Sequence, residues 1–269
     1  MWRFLYGSGD GYRRSKVGLA LGGGFARGIA HLGVLQVLEE NRIPLACITG
    51  VSSGAMMAAA YASGTPLHRL DELARRMKFK DVAGWTLSKM GLMTSDRMDA
   101  FLRSLLAVHR FEDMRIPLGV VACDLKTGEA VLYSQRGDVV PAVRASCAYP
   151  GLFRPIAIEG RLLVDGGMAE DVPAPSAKKL GAAKVIAVSL EMDEVPDDPT
   201  NLAQVINRCF QILQAQSGPT WRPSAELVLT PKINTFGWDS FDQTERMIEA
   251  GRRAAEAALP EIKGWLAGN

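Results

Sequence analysis

Residues 50–54 carry a serine in a setting that is typical of nucleophilic catalysis. They read Gly-Val-Ser-Ser-Gly, a G-x-S-x-G pattern, and stand where an apolar run gives way to an Ala- and Met-rich stretch. When a strand turns sharply into a helix, such a serine has a strained backbone, and flanking glycines, here Gly50 and Gly54, keep neighbouring side chains away from its hydroxyl. The positive end of the helix dipole favours negative charge that develops there. Ser52 is therefore a candidate nucleophile; a glycine-rich connection with an incidental serine is the alternative.

A serine hydroxyl needs a base to take its proton, and histidine is the usual one. The chain has three histidines, His31, His68 and His109, and none follows residue 109. In the chain order Ser–Asp–His of the α/β-hydrolases the histidine comes last, so that triad is excluded. We predict that His31 packs on a helix and that His68 and His109 lie at the surface near helix ends. A carboxylate or a lysine must then take the proton of Ser52.

Asp165 is the strongest carboxylate candidate. It follows the mostly apolar run 161–164 and precedes Gly166 and Gly167, which allow another loop to approach closely. A carboxylate with an ordinary pKa of about 4 is a weak base toward an alcohol, so this role requires partial desolvation. An Asp-Gly-Gly turn without chemistry is the alternative. Asp124, which also ends a predicted strand, is the second candidate.

Three consecutive glycines, Gly22, Gly23 and Gly24, precede a predicted helix. Such a loop exposes backbone N–H groups that hold an oxyanion or a phosphate. One oxyanion donor contributes about 2.7–4 kcal/mol in acyl transfer. A dinucleotide-binding loop is the rival interpretation, and it needs an acidic residue at the end of the second strand, about 20 residues further on. That strand ends in Thr49 and Gly50, which favours the oxyanion interpretation.

Alternating strand and helix patterns predict that a largely parallel sheet, covered on both faces, positions these candidates. We predict strands at residues 17–21, 46–49, 117–123, 130–133, 156–158, 161–164 and 184–190, with 156–164 forming a hairpin. Helices are predicted from about Gly28, after Gly54, after Ser95 as a cap, and after Asp242 and Glu245 as a capping pair. The last helix carries one stripe of small and apolar residues, Ile248, Gly251, Ala255 and Leu259.

Four segments of this sequence resemble, in order, those of the patatin-like phospholipase family. The resemblance is greatest to its bacterial branch and to the catalytic domain of neuropathy target esterase, and it extends over about residues 16–190. The matching segments are 22–28 with 31–33, 50–54, 145–153 and 165–167. The resemblance implies a three-layer α/β/α fold and hydrolysis of lipid acyl esters, of the phospholipase A or lysophospholipase type.

The same resemblance implies a role for each candidate residue. Ser52 is the expected nucleophile, Asp165 its base in a Ser-Asp dyad, and the backbone of Gly22, Gly23 and Gly24 the oxyanion hole, while His31 is structural. We expect no cofactor and no metal. A catalytically silent interaction protein with this fold is the alternative function, and the three intact elements argue against it.

Two positions depart from the family's pattern. Phe25 stands where many members carry glycine, which narrows the loop or adds apolar contact for an acyl chain. Asp171 stands where a neutral polar residue is expected, which brings charge near Asp165. Arg27, within the first matching segment, has two interpretations: a contact to an anionic head group, or a salt bridge on a helix surface.

Composition and charge exclude several classes of protein. Of the 269 residues, 48% are hydrophobic and 22% are charged, which is typical of a globular chain and excludes disorder. The formal net charge of +2 gives no argument for nucleic acid as a partner. The four cysteines form no C-x-x-C pair, which disfavours a disulfide framework and a zinc site. The acidic segment 191–200 lacks the spacing of a Ca²⁺ loop, and we interpret it as a solvated loop.

The sequence contains no apolar run near the roughly 18 residues that cross a bilayer. Residues 1–16 are aromatic and basic but lack the apolar core of a signal peptide. We interpret them as a flexible arm or a weak membrane-surface contact, followed by a single catalytic domain at 17–269. The predicted location is cytoplasmic, with peripheral contact to the inner membrane surface.

Two further groups of apolar residues have open interpretations. The Met-rich segment 85–93, interrupted by Gly91, is either a flap over the site that accommodates variable lipid chains or plain core packing. Trp221, Trp238 and Phe241 are candidate membrane contacts, although isolated aromatic residues require no such role.

Overall fold

The computed structural model describes residues 16–86, 88, 90–191, 198–233 and 241–267, which form ten strands and eight α-helices. The strands are β1 (Val17–Leu21), β2 (Cys47–Gly50), β3 (Gly84–Trp85), β4 (Met93–Thr94), β5 (Leu118–Asp124), β6 (Ala130–Tyr133), β7 (Ile156–Ile158), β8 (Arg161–Asp165), β9 (Lys184–Val188) and β10 (Leu227–Leu229). The helices are α1 (Ala30–Glu40), α2 (Ser53–Ser63), α3 (Leu67–Arg76), α4 (Asp96–Leu105), α5 (Val139–Ser146), α6 (Ala174–Lys179), α7 (Leu202–Trp221) and α8 (Thr244–Ala267). Three parts of the chain that the sequence analysis considered lie outside the described residues: the arm at 1–15, residues 192–197 of the acidic segment, and Trp238.

Eight of the strands form one mixed sheet in the order β10-β9-β1-β2-β5-β8-β7, with β6 also paired to β5. The strands from β10 to β5 in this order run parallel, whereas β6 and β8 are antiparallel to β5, and β7 is antiparallel to β8. The short strands β3 and β4 pair separately. The predictions of a mostly parallel sheet and of the hairpin at 156–164 are confirmed.

Helices cover both faces of this sheet and make a three-layer α/β/α fold, as predicted. Along β1, Leu19 and Leu21 belong to the core beneath α1, α2, α5 and α8, whereas Ala20 packs on the opposite side with Ala177 of α6 and Trp221 of α7. Such alternation is expected for a sheet that is buried on both faces. Because Trp221 is fully buried there, the membrane contact predicted for it is wrong.

Helices α1 and α8 cross with their backbones in direct contact. A Cβ at Gly33 would stand 1.9 Å from the carbonyl oxygen of Ile248, and one at Gly251 would stand 1.9 Å from that of Ala30. Three residues of the predicted α8 stripe are buried, and the fourth, Leu259, is partly buried against the core. The predicted stripe is therefore confirmed, and glycine sets how closely the two helices approach.

Of the two predicted helix caps, one is right in position only and the other is wrong. Ser95 stands at the N-cap of α4, but its hydroxyl accepts a hydrogen bond from Arg144 Nε at 3.2 Å and caps no amide. Arg144 lies on α5 with a largely buried side chain, and its guanidinium uses this hydroxyl as a hydrogen-bond acceptor. Asp242 lies inside the 3-10 turn Phe241–Gln243 that precedes α8, so it does not occupy the N-cap. Among the described residues, no helix combines the length and the apolar character required to span a bilayer.

Candidate active site

Ser52 occupies a turn that its neighbouring glycines make sterically feasible. Strand β2 ends at Gly50 and helix α2 begins at Ser53, which leaves Ser52 at the helix N-cap with φ 54° and ψ −124°. A positive φ is strained for a residue with a side chain. A Cβ at Gly50 would stand 2.4 Å from the Gly54 carbonyl oxygen, and one at Gly54 would stand 2.2 Å from that of Leu21. The strand–turn–helix geometry predicted for this pattern is therefore present.

The sheet register brings Asp165 to the same place from far along the chain. Strand β5 pairs with β2 as far as Val120, the partner of Gly50, and with β8 from Ala122, the partner of Asp165. Because β6 occupies the opposite edge of β5, strands β2 and β8 share one edge of it. Strand β8 takes up that edge where β2 leaves it, so Asp165 comes beside the turn that carries Ser52.

Ser52 and Asp165 line the same pocket, and the Asp165 carboxylate accepts a hydrogen bond from the Gly167 amide at 2.9 Å. Only 1% of the Asp165 surface is exposed. Burial raises the pKa of Asp165 to about 7, and the hydrogen bond from Gly167 and the nearby Ser52 hydroxyl oppose part of this rise. Asp165 is thus a stronger base than an exposed aspartate, with a pKa near neutral pH that suits proton transfer.

Residues 145–153 connect Ser52 and Asp165 to the sheet. The Ser146 hydroxyl accepts a hydrogen bond from the Ser52 amide at 2.8 Å and donates one to the Val121 carbonyl oxygen of β5 at 2.6 Å. The Asp165 amide donates to the Ala148 carbonyl oxygen at 3.0 Å. Sequence reasoning missed the position of Ser146, because nothing in its local pattern indicates that its hydroxyl faces β5.

The glycine loop lies against the serine, but its three amides differ in what they bind. The Gly22 amide donates to the Val188 carbonyl oxygen at 3.0 Å, and the Gly23 amide donates to that of Asp171 at 3.3 Å. Within the described part of the chain, the Gly24 amide has no acceptor. A Cβ at Gly23 would lie 3.4 Å from that of the candidate nucleophile, so the absence of side chains lets the loop approach closely. Of the three glycines, Gly24 is therefore the one whose amide remains without an acceptor among the described residues.

His31 contacts the glycine loop from helix α1. It is fully buried on α1, and its Nε2 lies 2.8 Å from the Gly22 carbonyl oxygen. Burial lowers the pKa of His31 to about 4, and the hydrogen bond to Gly22 opposes part of that fall. The ring is therefore neutral near pH 7 and donates its Nε2–H to the loop. The prediction that His31 is packed on a helix is confirmed, and His68 is exposed as predicted.

Arg27 and Asp171 place two charged groups beside the loop and out of solvent. Arg27 is 7% exposed, and its Nε donates to the Gly24 carbonyl oxygen at 3.3 Å. Because this side chain turns inward, the alternative of a salt bridge on the helix surface is wrong. Burial raises the pKa of Asp171 to about 7, and a hydrogen bond from Gln214 opposes part of the rise. The charge of Asp165 adds to that rise, so the charge expected near the candidate base is present.

Two cavities of opposite character meet at Ser52. An apolar cleft of about 900 Å³, including the open space at its mouth, runs beside α2, α3 and α4. Apart from two serine hydroxyls and a thiol, its lining side chains are apolar, among them Phe25, Met56, Met57, Ala60, Leu70 and Phe101. On the other side lies a smaller pocket of about 310 Å³, including the open space at its mouth, whose lining contains the polar side chains of Arg27, Tyr149, Asp165, Asn207, Gln211 and Gln214. Phe25 is in the lining of both cavities.

The second carboxylate candidate, Asp124, is engaged elsewhere. Its buried carboxylate accepts hydrogen bonds from the Lys126 amide at 2.8 Å and from Arg161 at 3.4 Å. It is not among the described residues that line the two cavities. Asp165 is therefore the carboxylate that the fold brings to Ser52.

In the described ranges, no three His, Cys, Asp or Glu side chains lie together where they could hold a metal ion.

Comparisons with known proteins point to one family. The sequence model of the family described as patatin-like phospholipase matches residues 19–178, which include Ser52 and Asp165. The chain is 34% identical over 210 residues to an uncharacterized NTE family protein of Mycobacterium tuberculosis, covering 74% of this chain and 57% of that one. It is 30% identical over 189 residues to mouse patatin-like phospholipase domain-containing protein 6, covering 67% of this chain and 14% of that one.

A solved structure shares the fold, and the family match covers most of the candidate site. VipD from Legionella pneumophila superposes with a TM-score of 0.67 at 15% identity, covering 92% of this chain and 67% of that one. This chain spans 57% of the length of the mycobacterial relative, so it corresponds to part of that protein. The family's sequence model matches more than half of the residues of this chain. The chain therefore belongs to the patatin-like phospholipase family.

Proposed function

We propose that this protein is a serine hydrolase for acyl esters of lipids, of the phospholipase A or lysophospholipase type. The observation that carries the proposal is that Ser52 and the buried Asp165 come together where an apolar cleft meets a polar pocket. A lipid ester has the same division, with an apolar acyl chain on one side of its carbonyl group and a polar alcohol on the other.

In the proposed reaction, Ser52 Oγ attacks the ester carbonyl carbon while Asp165 takes the hydroxyl proton. The Gly24 amide and the positive end of helix α2 stabilise the oxyanion. The tetrahedral intermediate then expels the alcohol, which takes the proton from Asp165, and the acyl group stays on Ser52. Asp165 next takes a proton from a water molecule while the water oxygen attacks the acyl-serine. The second tetrahedral intermediate then releases the fatty acid, and Ser52 Oγ takes the proton back from Asp165.

The two cavities assign the two halves of the substrate. The acyl chain lies in the apolar cleft, where the flexible side chains of Met56 and Met57 adapt to chains of different shape. The alcohol lies at the mouth of the polar pocket, where the guanidinium of Arg27 is the proposed contact for an anionic head group. A neutral lysolipid or a simple ester would make less use of Arg27.

Labelling and turnover together test the proposal. A fluorophosphonate should label the wild-type chain and fail to label Ser52→Ala. Hydrolysis of a p-nitrophenyl ester should fall at least about a thousandfold in Ser52→Ala and in Asp165→Asn. Matched controls are Ser104→Ala, an exposed helix serine, and Asp124→Asn, the other buried aspartate at a strand end. Retention of most activity by either site variant would reject the dyad, and an unlabelled wild type would favour a catalytically silent protein.

A further inference from the structure

The outer face of helix α7 carries a stripe of exposed apolar side chains. Leu202, Val205 and Ile212 are 76%, 42% and 51% exposed, and the exposed Cys209 lies between the last two. Spacings of three and four residues place all four on one side of the helix. The opposite side packs inward through residues such as Phe210. A helix of a globular protein usually directs such a stripe to its core, so this one lacks a partner within the described residues.

Other exposed apolar side chains border the same helix. Met90 and Leu92 are exposed, and the segment that carries them is bonded to 152–154, where the Met93 amide donates to the Leu152 carbonyl oxygen at 2.8 Å. A Cβ at the adjacent Gly151 would lie 3.1 Å from Ile206 of α7. For Met90 and Leu92, the core-packing interpretation of segment 85–93 is therefore wrong.

Met168 borders α7 on another side, because a Cβ at its neighbour Gly167 would lie 3.1 Å from the Phe210 ring. Six of the seven large apolar side chains that the described residues expose thus lie on α7 or on segments next to it, and we call them the apolar rim: Met90, Leu92, Met168, Leu202, Val205 and Ile212. The seventh, Leu125, lies on the turn between β5 and β6.

Helix α7, which carries three residues of the apolar rim, also lines the candidate active site. On its inner side, α7 lines the polar pocket: the Tyr149 hydroxyl donates to Asn207 at 3.2 Å, and Gln214 donates to the Asp171 carboxylate. One helix therefore has a polar face toward the site of Ser52 and an apolar face toward solvent.

Charge within the segments that carry the rim has one sign, and the exposed Asp198 lies four residues before Leu202. Residues 90–93, 151–154, 166–169 and 202–221 contain two charged side chains, Arg154 and Arg208, and both are cationic. The chain as a whole has 29 acidic residues, so a 20-residue helix without any is a local bias. Apolar side chains with cationic neighbours fit a surface that is apolar within and anionic at its boundary, as an anionic phospholipid bilayer is.

We propose that the apolar rim is a docking surface for anionic phospholipid bilayers, with α7 lying in the interface. This inference rests on the proposed function, since docking here would bring α7 and the polar pocket beneath it to the layer that holds the ester bonds. The sequence offered the arm at 1–16 and three aromatic residues as membrane contacts; the rim is a different surface and does not require them.

Vesicle binding can be tested separately from catalysis in the full chain with Ser52→Ala, which removes the proposed nucleophile. The probe is a vesicle of phosphatidylcholine and phosphatidylglycerol, and co-sedimentation gives the partition coefficient. The test variant combines Leu202→Gln, Val205→Gln and Ile212→Gln. The matched control is Leu125→Gln, which removes an exposed apolar side chain outside the rim. Circular dichroism and the melting temperature verify that each variant is folded.

The triple variant should lose at least about tenfold in partition coefficient, and the Leu125 control should bind as its parent does. Binding should weaken when phosphatidylglycerol is omitted or when salt is raised. Three results would each overturn the inference. The parent chain does not bind vesicles, the triple variant binds as strongly as the parent, or the triple variant and the Leu125 control lose equally in partition coefficient. Undiminished binding by the triple variant would indicate that the arm at 1–16 is the membrane contact. None of these outcomes depends on whether the wild type hydrolyses esters.

Discussion

The Ser146 hydroxyl lies between the Ser52 amide and strand β5 and bonds to both. It accepts from the Ser52 amide at 2.8 Å and donates to the Val121 carbonyl oxygen at 2.6 Å, with no exposed surface of its own. Both partners are backbone groups, so the contact fixes the main chain of the turn. Ser146 thereby holds the positive-φ conformation of Ser52 against the strand whose register also sets Asp165.

Replacing Ser146 with alanine should impair the site more than the fold. The change leaves the Val121 carbonyl oxygen and the Ser52 amide without this partner, which costs about 1–3 kcal/mol of unfolding free energy. We expect kcat/KM for a soluble ester to fall about tenfold, because the nucleophile loses its fixed orientation. Ser104→Ala, in the exposed part of α4, is the control. Loss of stability without any loss of kcat/KM would show that Ser146 is merely structural.

The pH dependence of turnover should report the buried aspartate. Burial raises the pKa of Asp165 to about 7, and only the ionised carboxylate can accept the Ser52 proton. We therefore expect kcat/KM to rise with pH through about 7 and to level above it. Asp171 has a similar raised pKa, so Asp171→Asn is the discriminating variant. If the inflection near pH 7 disappeared in Asp171→Asn, then Asp171 and not Asp165 would be the titrating group.

The same burial should make Asp165 a source of instability above neutral pH. The folded pKa of about 7 lies above the unfolded value of about 4, so the folded chain keeps a proton that the unfolded chain loses between these pH values. The stabilising contribution is complete below pH 4 and is lost as the pH rises through 7. Asp165→Asn retains an acceptor for the Gly167 amide and carries no charge.

Denaturant unfolding at pH 5 and pH 8 measures that effect. At pH 8, Asp165→Asn should exceed the wild type in unfolding free energy by on the order of 3 kcal/mol, with a smaller gain at pH 5. Asp124→Asn, which weakens the contact with Arg161, should show no gain. Equal stability of wild type and Asp165→Asn at pH 8 would mean that the carboxylate is better solvated than its burial indicates.

The parts of the site that the sequence predicts are those with a local signal. Glycines around Ser52, and glycines after Asp165, mark turns whose shape depends on a few neighbouring residues. Their meeting depends on β2 and β8 sharing one edge of β5, a long-range register that no local pattern contains. Arg27 was misjudged in part for a related reason, since arginine is usually exposed and only the packed loop shows otherwise.

The helices and contacts that were not predicted also differ in whether a local sequence signal marks them. Helix α5 had a usable signal, because the Asp138 side chain accepts a hydrogen bond from the Val140 amide at its start. Helix α3 repeats Leu67, Leu70 and Leu73 at helical spacing, and that pattern was available in the sequence. The contact of Gln214 with Asp171 was not, because it joins two segments through tertiary packing.

The apolar cleft should select acyl chains by length. Ala60 lines the cleft eight residues after Ser52 on α2, about 12 Å along the helix axis. Ala60→Met would fill that part of the cleft, so we expect turnover of a palmitoyl ester to fall at least about tenfold relative to a butyryl ester. The butyryl ester in the same variant is the internal control. Equal losses for both esters would indicate damage to the fold, and unchanged selectivity would exclude the cleft as the acyl site.

The crossing of α1 and α8 offers a stability test with its control in the same helix. A Cβ at Gly251 would stand 1.9 Å from the Ala30 carbonyl oxygen, a backbone atom that cannot move aside without shifting α1. Gly251→Ala should therefore cost about 2–5 kcal/mol of unfolding free energy. A Cβ at Gly264 would meet nothing within 4 Å, so Gly264→Ala should stabilise the helix by about 0.5–1 kcal/mol. If the two substitutions had the same effect in denaturant unfolding, the close backbone contact of α1 with α8 would be refuted.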